Sequence, residues 1–278
     1  MIRISAFADE ISPSLDQQIE YLHHAGIHWM EIRIVDGRNV TTLTELEAQA
    51  IKARLDAAQI GVSAIASPIG KYRIDEDFEP HLNLLRHTLR LAEIFDTKLI
   101  RIFSFYAPEG YEVEDHGKVA VEYLRKMVAE VGERDLRLVH ENEAKIFGHT
   151  AEHCVHLHQE IDSPKFTLAY DPANFVWGES ITNPTESCWP KMQPYVSHIH
   201  IKDWKLGSTD VGALAGDGDG QVEALIAELA QIHYDGFVTL EPHMSSGGQF
   251  GGETLPEQFD ETLRRVQGYC KKYALNYE

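Results

Sequence analysis

The sequence lacks several features that mark special classes of protein. It has no run of about 20 apolar residues, the length that a membrane-spanning helix needs. Its first residues, Met1 to Ser5, lack the apolar run of a secretory signal. The cysteines, Cys154, Cys188 and Cys270, are far apart and without CxxC spacing, so we expect neither a disulfide framework nor a thiolate zinc site. These absences predict a cytoplasmic protein with no membrane partner.

Positive charge is also scarce. The chain has 25 Lys and Arg against 44 Asp and Glu, a net charge of −19 with neutral histidine. Such a surface repels phosphate backbones, so a nucleic-acid partner is not expected. With 43% hydrophobic and 25% charged residues, the composition is that of a globular protein. No linker rich in Ser or Gly divides the chain, and we expect a single domain over residues 1–278.

Short aliphatic or β-branched segments alternate with amphipathic segments along the whole chain. Eight strands are predicted, at Arg3–Phe7, Trp29–Ile34, Gly61–Ala66, Lys98–Phe103, Leu136–Glu141, Phe166–Tyr170, His198–Lys202 and Phe237–Glu241. Apolar residues at steps of three and four predict helices that include Leu15–Ala25, Leu46–Ala58, Leu82–Ile94, Val119–Val131 and Val222–Ile232. Thr44 and Glu47 fit a capping box, and Gly26 and Gly61 follow helical segments where a left-handed stop is expected.

Eight strand–helix repeats predict parallel strand pairing and a closed (β/α)8 TIM barrel. The alternative is an open doubly wound sheet with a nucleotide-binding turn. The first turn, however, reads Phe7-Ala8-Asp9-Glu10-Ile11 and lacks the required GxGxxG. In a barrel, the functional site is expected where the strands end and the following loops begin.

Polar residues occupy the carboxyl ends of four successive predicted strands. Glu141, Asp171, His200 and Glu241 lie 30, 29 and 41 residues apart (171−141, 200−171 and 241−200), which is about one strand–helix unit each. This spacing places them side by side around the barrel mouth. Three carboxylates brought so close repel one another unless they are protonated or neutralised, and a divalent cation is the simplest neutraliser.

The predicted ligands are three carboxylates and one imidazole. This set suits Mn²⁺, Mg²⁺ or Co²⁺ better than an ion that selects thiolates, and Zn²⁺ stays an alternative.

Several stretches, taken in order, resemble one family: the sugar phosphate isomerase/epimerase group of xylose isomerase-like TIM barrels, which is similar to the ketose 3-epimerases. The stretches are Phe7-Ala8-Asp9-Glu10, His140-Glu141-Asn142, Tyr170-Asp171-Pro172-Ala173-Asn174, His198-Ile199-His200-Ile201-Lys202-Asp203, Gly216-Asp217-Gly218 and Tyr234 to Pro242. The resemblance implies that Glu141, Asp171, His200 and Glu241 bind the metal.

It also implies that Glu141 and Glu241 are the catalytic acid/base pair of a sugar isomerase or epimerase. In such an enzyme the metal stabilises an enediolate while one glutamate removes a proton and the other returns one. Many relatives carry a substrate-contacting histidine where this chain has Asn174. Ketose epimerases also carry an arginine soon after the strand-seven histidine, where this chain has Lys202 and Lys205.

Strand parity extends the predicted substrate site. His198, His200 and Lys202 share one face of a strand, as do Glu241 and His243. The predicted substrate-binding residues are Asn174, Lys202, His198, His243 and Lys145. Lys202 has a second interpretation as an ion-pair partner for a nearby carboxylate. Glu31 and Arg33 share a face of strand two, where a buried pair and a substrate contact are equally open.

Other functions use the same residues. A lyase or dehydratase acting on an inosose or keto-sugar would need the same metal and base but would expel a leaving group. The DNA-repair endonucleases of the group resemble the chain only in outline, and the charge of −19 opposes them. A non-enzymatic ligand-binding or interaction module is a further alternative. The expected partner is a small sugar or keto-sugar, and a homo-oligomer is compatible with the sequence.

Overall fold

The central element is a closed barrel of eight parallel strands. The computed structural model describes residues 1–209, 211–246 and 252–278. Neighbouring strands of the barrel follow one another in the chain, and the last pairs with the first. The strands are β1 (Arg3–Ala6), β2 (Trp29–Ile32), β3 (Gly61–Ala66), β4 (Leu99–Ile102), β5 (Arg137–Glu141), β6 (Phe166–Tyr170), β7 (Val196–Ile201) and β8 (Phe237–Leu240). The predicted (β/α)8 fold is confirmed, with strand ends shifted by no more than two residues.

Helices connect the strands and cover the barrel. They are α1 (Leu15–Ala25), α2 (Glu45–Ala57), α3 (Phe78–Phe95), α4 (Gly117–Val131), α5 (Ala151–Ile161), α6 (Pro172–Glu179), α7 (Pro184–Ser187), α8 (Trp189–Met192), α9 (Val222–Gln231) and α10 (Pro256–Lys272). Short 3-10 turns lie at Ala8–Glu10, Val40–Thr42, Val113–His116 and Gln193–Tyr195. Two small antiparallel pairs join Ile34–Val35 with Arg38–Asn39 and Ser245–Ser246 with Gly252–Glu253. Within the described residues, no helix combines the length and the apolar character that crossing a membrane requires.

The local signals explain where helices begin. The predicted capping box is present at α2, where the Thr44 hydroxyl accepts from the Glu47 amide and the Glu47 carboxylate accepts from the Thr44 amide. Asp77 and Thr150 cap α3 and α5 in the same manner, each accepting from a backbone N–H of the first turn. Capping of this kind satisfies amides that have no partner inside the helix.

The barrel interior is apolar at the end opposite the candidate site. A small buried cluster is separate from the main core between strands and helices, and Trp29 packs against it; its members are Ala64, Leu99, Val139, Ala169 and Phe237. Strand alternation places Val139 on the same face as Glu141 and Phe237 on the same face as Glu241. Along the inward face of these strands, apolar packing residues are therefore followed by carboxylates within one or two steps of the pleat.

One of the two predicted glycine stops is wrong. Gly26 follows α1 in a left-handed conformation, with φ of 67°, as predicted. After α2, however, the left-handed residue is Gln59, with φ of 56°, and Gly61 begins β3. A Cβ at Gly61 would overlap the ring of Trp29, so the position is glycine because the indole occupies that space.

Replacing Gly61 should therefore destabilise the barrel through a packing clash. We expect Gly61→Ala to lower the free energy of unfolding by about 1–3 kcal/mol, because the Trp29 ring must move away from its partner Phe237, 5.0 Å distant between ring centroids. Urea denaturation measures this. The matched control is Gly268→Ala on the exposed face of α10, where a Cβ meets nothing within 4 Å and should stabilise the helix by about 0.5–1 kcal/mol. Equal effects of the two substitutions would contradict the packing explanation.

Candidate metal centre

Four predicted ligands meet at the carboxyl ends of four neighbouring strands. Glu141 is the last residue of β5, Asp171 and Glu241 directly follow β6 and β8, and His200 is the next-to-last residue of β7. One ligand atom from each residue lies within 4.8 Å of the others, and all four residues are buried. The structure therefore brings together, in one cluster, residues that are as much as 100 positions apart (241−141).

Asp171 is fixed by the helix that it begins. It is the N-cap of α6, and its Oδ1 accepts from the amides of Ala173 and Asn174 at 2.8 and 3.2 Å. Pro172 occupies the first helical position, where a missing N–H costs nothing. Asn142 pairs with the Asp171 backbone at both N–H and C=O, at 2.9 Å each. The turn after β6 thus aims the second oxygen of Asp171 at the cluster.

Glu31 contacts the His200 ring on the side opposite the other three candidate ligands. The His200 Nε2–H donates to Glu31, whose two carboxylate oxygens lie 3.2 and 3.3 Å away. The opposite nitrogen, Nδ1, faces Glu141 Oε1 at 2.9 Å and Glu241 Oε2 at 3.7 Å. A histidine that binds a metal commonly donates its other N–H to a carboxylate in this way. Burial opposes a charged His200, but Glu141 and Glu31 outweigh it and hold the pKa of the imidazole well above its usual value.

Two buried arginines and the half-buried Lys202 offset the carboxylates. Arg33 donates from Nε to Asp9 at 2.8 Å and from Nη1 to Glu241 at 2.9 Å. Arg101 Nη1 lies 3.2 Å from Glu141 Oε2. The ammonium group of Lys202 lies 3.3 Å from an oxygen of Asp171 and donates to the Asn174 side chain at 2.9 Å. An acidic cluster of this density can be buried because each carboxylate has a cation beside it.

The surroundings move the carboxylate pKa values in different directions. Burial raises the pKa of Asp171 to about 7, although Lys202 opposes the shift and Glu141 adds to it. Burial also acts on Glu241, but Lys202 and Arg33 outweigh it and lower the pKa to about 2. His200 and Arg101 likewise overcome burial at Glu141 and lower its pKa below the usual range. Glu141 and Glu241 are therefore ionised at neutral pH.

The donor set fits a divalent cation. Glu241 Oε2 is buried with no hydrogen-bond partner in the described part of the chain, and Glu141 Oε2 has only the Arg101 guanidinium beside it. Buried anionic oxygens without donors are costly unless a cation is bound. Three carboxylates and an imidazole whose Nδ1 faces them supply the oxygen and nitrogen ligands that such an ion prefers.

Three predicted substrate residues border this cluster. Asn174 is buried, and its amide donates to the Asn142 carbonyl at 2.9 Å while its oxygen accepts from Lys202. Lys202 lies between Asp171 and Asn174, which fits its second interpretation as an ion-pair partner. His243 is half-buried next to Glu241, its Nδ1 has no partner in the described residues, and burial lowers its pKa to about 4.

Two other predicted substrate residues lie away from the cluster. His198 is buried one pleat deeper in the barrel, where its Nε2 contacts Glu31 at 2.6 Å and Thr239 at 3.3 Å. Lys145 is exposed, with φ of 66°, and lines a cavity of about 500 Å³ between the loops that follow β3, β4 and β5. Neither side chain has a hydrogen bond to the four candidate ligands among the described contacts.

Glu31 and Arg33, which share a face of strand two, do not pair with each other. Both are buried in ion pairs: Glu31 pairs with His198 and His200, and Arg33 pairs with acidic residues in the loops after β1 and β8. Arg101 was not identified, although an arginine within the apolar strand Leu99–Ile102 was a signal.

Asp203 was also missed as an organising residue. Its carboxylate accepts from the amides of Trp204, Gly216, Gly218 and Gly220 at 2.8–3.0 Å, and it thereby fixes the loop that follows β7. The motif Gly216-Asp217-Gly218 is therefore explained by backbone contact with a buried acid.

Comparison with protein-family models identifies the family to which this barrel belongs. The family described as xylose isomerase-like TIM barrel matches residues 19–269, and the chain belongs to this family. A comparison with curated proteins found no match.

Several solved structures share the fold over nearly the entire chain. A D-tagatose 3-epimerase-like protein is 17% identical with a TM-score of 0.78, covering 99% of this chain and 98% of its own. The 3-keto-D-glucoside 4-epimerase YcjR of E. coli is 15% identical with a TM-score of 0.72, covering 96% and 100%. A xylose isomerase-like TIM barrel protein from Mycobacterium smegmatis, in complex with magnesium, is 13% identical with a TM-score of 0.74, covering 99% and 98%. At these identities the similarity shows the fold alone.

Arg33 gives a direct test of the charge balance. We expect Arg33→Met to lower the free energy of unfolding at neutral pH by about 3–5 kcal/mol, because it leaves Asp9 and Glu241 buried beside no guanidinium. Chemical denaturation monitored by circular dichroism measures the change. Arg38→Met is the control, since the Arg38–Glu47 pair is about half exposed, with side chains 46% and 42% accessible, and should contribute little. A similar loss in both variants would show that Arg33 has no special electrostatic role.

Proposed function

We propose that the protein is a divalent-metal-dependent sugar isomerase or epimerase whose chain forms one catalytic domain. The observation that carries the proposal is the cluster of Glu141, Asp171, His200 and Glu241, in which two ionised glutamates have buried oxygens without hydrogen-bond donors. Membership of the xylose isomerase-like family supports it. The two epimerase-type relatives named above are consistent with it at the level of fold.

Mn²⁺ is the ion that we propose, with Mg²⁺, Co²⁺ and Zn²⁺ as alternatives. Three carboxylate oxygens and one imidazole nitrogen form a predominantly hard ligand set with no thiolate. When bound, the ion would polarise a substrate carbonyl and its neighbouring hydroxyl, which acidifies the adjacent C–H bond and stabilises the resulting enediolate charge.

Glu141 and Glu241 are the proposed proton carriers. Both are ionised in the folded protein, so either can accept a proton from carbon. They belong to β5 and β8, three strands apart around the barrel, and so approach a substrate from different sides. One removes the proton and the other returns one. Return to the opposite face of the same carbon gives an epimer, and return to the neighbouring carbon interconverts aldose and ketose.

Lys202, Asn174 and His243 are proposed to bind the sugar oxygens. Lys202 keeps its positive charge despite burial, because Asp171 and Glu241 raise its pKa above the usual range. Asn174 is held by the Asn142 carbonyl and so presents a fixed amide beside the cluster. His198 is proposed to act through Glu31 rather than on substrate, because it lies deeper and contacts that carboxylate. Lys145 is proposed to contact the outer part of a longer substrate from the cavity wall.

Deuterium incorporation tests the proton-transfer mechanism. The manganese-loaded protein is incubated in D₂O with a panel of ketoses, aldoses and keto-sugars, and carbon-bound deuterium and product mass are recorded. We expect wild-type protein to introduce deuterium at one carbon without changing the mass otherwise. Glu141→Gln and Glu241→Gln should each slow incorporation by about 10²–10⁴-fold, since each removes an acid/base group.

Glu93→Gln is the matched control, because Glu93 forms a surface pair with Arg134 at 3.0 Å and should leave the rate unchanged. Unaltered exchange in both site variants would exclude the two-glutamate mechanism. A product lighter by one water would instead identify the reaction as a dehydration.

Metal removal gives an independent test. Dialysis against a chelator should abolish deuterium incorporation, and added Mn²⁺ should restore it. Glu31→Gln should raise the Mn²⁺ concentration needed for half-maximal rate by about 10–100-fold, because the carboxylate that holds His200 is lost. Full activity of the chelated protein, verified metal-free by mass spectrometry, would contradict metal dependence.

A further inference from the structure

We propose a second metal site, for a transition-metal dication such as Zn²⁺, formed by Glu114, His149 and His153. It lies outside the barrel-mouth cluster, shares no residue with it, and does not depend on the proposed sugar chemistry. One ligand atom from each of the three residues lies within 4.8 Å of the others.

The three residues come from two segments that follow neighbouring strands. Glu114 belongs to the 3-10 turn Val113–His116 in the loop after β4. His153 lies in the first turn of α5 and His149 directly precedes its N-cap, Thr150; their ring centroids are 5.1 Å apart. Two imidazoles this close can supply nitrogen ligands to the same ion.

His149 lies between two carboxylates. Its Nδ1 lies 2.6 Å from Glu179 Oε1 and its Nε2 lies 3.1 Å from Glu114 Oε1. When Nδ1–H donates to Glu179, the Nε2 of a neutral ring presents a lone pair to another acceptor oxygen. This arrangement needs either a second proton or a cation at Nε2. A carboxylate behind a metal-binding histidine is the usual supporting contact, and His200 has the same arrangement with Glu31.

His153 favours the cation over the second proton. Its Nδ1 is buried and has no hydrogen-bond partner among the described residues. A second proton on His149 would leave the His153 imidazole nitrogen without a partner. An ion bound by all three residues would give that nitrogen a partner. Two imidazoles and one carboxylate, with a fourth position for water, form a ligand set typical of zinc.

The site borders the cavity of about 500 Å³ that lies on the rim of the barrel. Glu114 and His149 line its wall together with Tyr106, Tyr111 and Lys145. A metal ion bound by Glu114 and the two histidines would fix the loop after β4 against the start of α5. It would therefore set the shape of this part of the rim.

Zinc stoichiometry tests the site. Protein is dialysed against buffered Zn²⁺, and zinc per chain is determined by mass spectrometry. We expect His149→Gln/His153→Gln to bind about one zinc ion fewer than wild type, and His156→Gln, an exposed histidine on the same helix, to match wild type. Glu179→Gln should weaken this zinc by about 10–100-fold. Asp171→Asn/His200→Gln should keep it, so that loss of the barrel-mouth centre is distinguished from loss of this one.

Proteolysis supplies a second readout that needs no metal count. Chymotrypsin cleavage after Tyr111, whose side chain is 62% exposed, should slow on addition of Zn²⁺ in wild type and in His156→Gln but not in His149→Gln/His153→Gln. An equal zinc count in wild type and the double variant would overturn the proposal. So would equal protection of the loop by zinc in both proteins.

Discussion

The structure depends on opposite charges that are buried together at one end of the barrel. Glu141 and Glu241 stay ionised in a protein interior because Arg101 and Arg33 lie beside them, whereas Lys202 only partly offsets the effect of burial, which raises the pKa of Asp171. Charges removed from water are tolerated only with partners of this kind. The cations partly offset the acidic groups, and two glutamate oxygens are left without hydrogen-bond partners in the described part of the chain, which a bound dication would compensate.

The fold permits this concentration of buried charge because apolar packing residues and charged residues lie at different positions along each strand. The same inward face carries apolar residues such as Val139 and Phe237 near the strand beginnings and carboxylates at the strand ends. Outside the barrel, the main hydrophobic core lies between strands and helices. Substitutions at the mouth can therefore alter chemistry while the apolar layers keep the barrel closed, as is usual for this architecture.

Much of the barrel and the four candidate ligands could be predicted from sequence, because alternation along strands and repeat length are local patterns. Contacts between side chains of different strands could not be predicted from sequence. The partners of Arg33 are Asp9 and Glu241, 24 and 208 residues away in the sequence, which no local pattern reveals. The role of Gly61 depends on the Trp29 ring of the neighbouring strand, and the position of Lys145 on a left-handed turn after β5. The partners of Arg33 and Gly61 are remote in sequence, and a left-handed residue other than glycine, as at Lys145, has no reliable sequence signal.

The central claim is that the ionised carboxylates at the barrel mouth surround a dication. Crystals grown with Mn²⁺ and measured at a wavelength where manganese scatters anomalously test it most directly. We predict one anomalous peak bonded to oxygens of Glu141, Asp171 and Glu241 and to Nδ1 of His200, at about 2.0–2.3 Å, with Glu31 still on the opposite ring nitrogen. Absence of a peak there, with the His200 imidazole bonded to Glu141 and Glu31 at both nitrogens in saturating manganese, would contradict it.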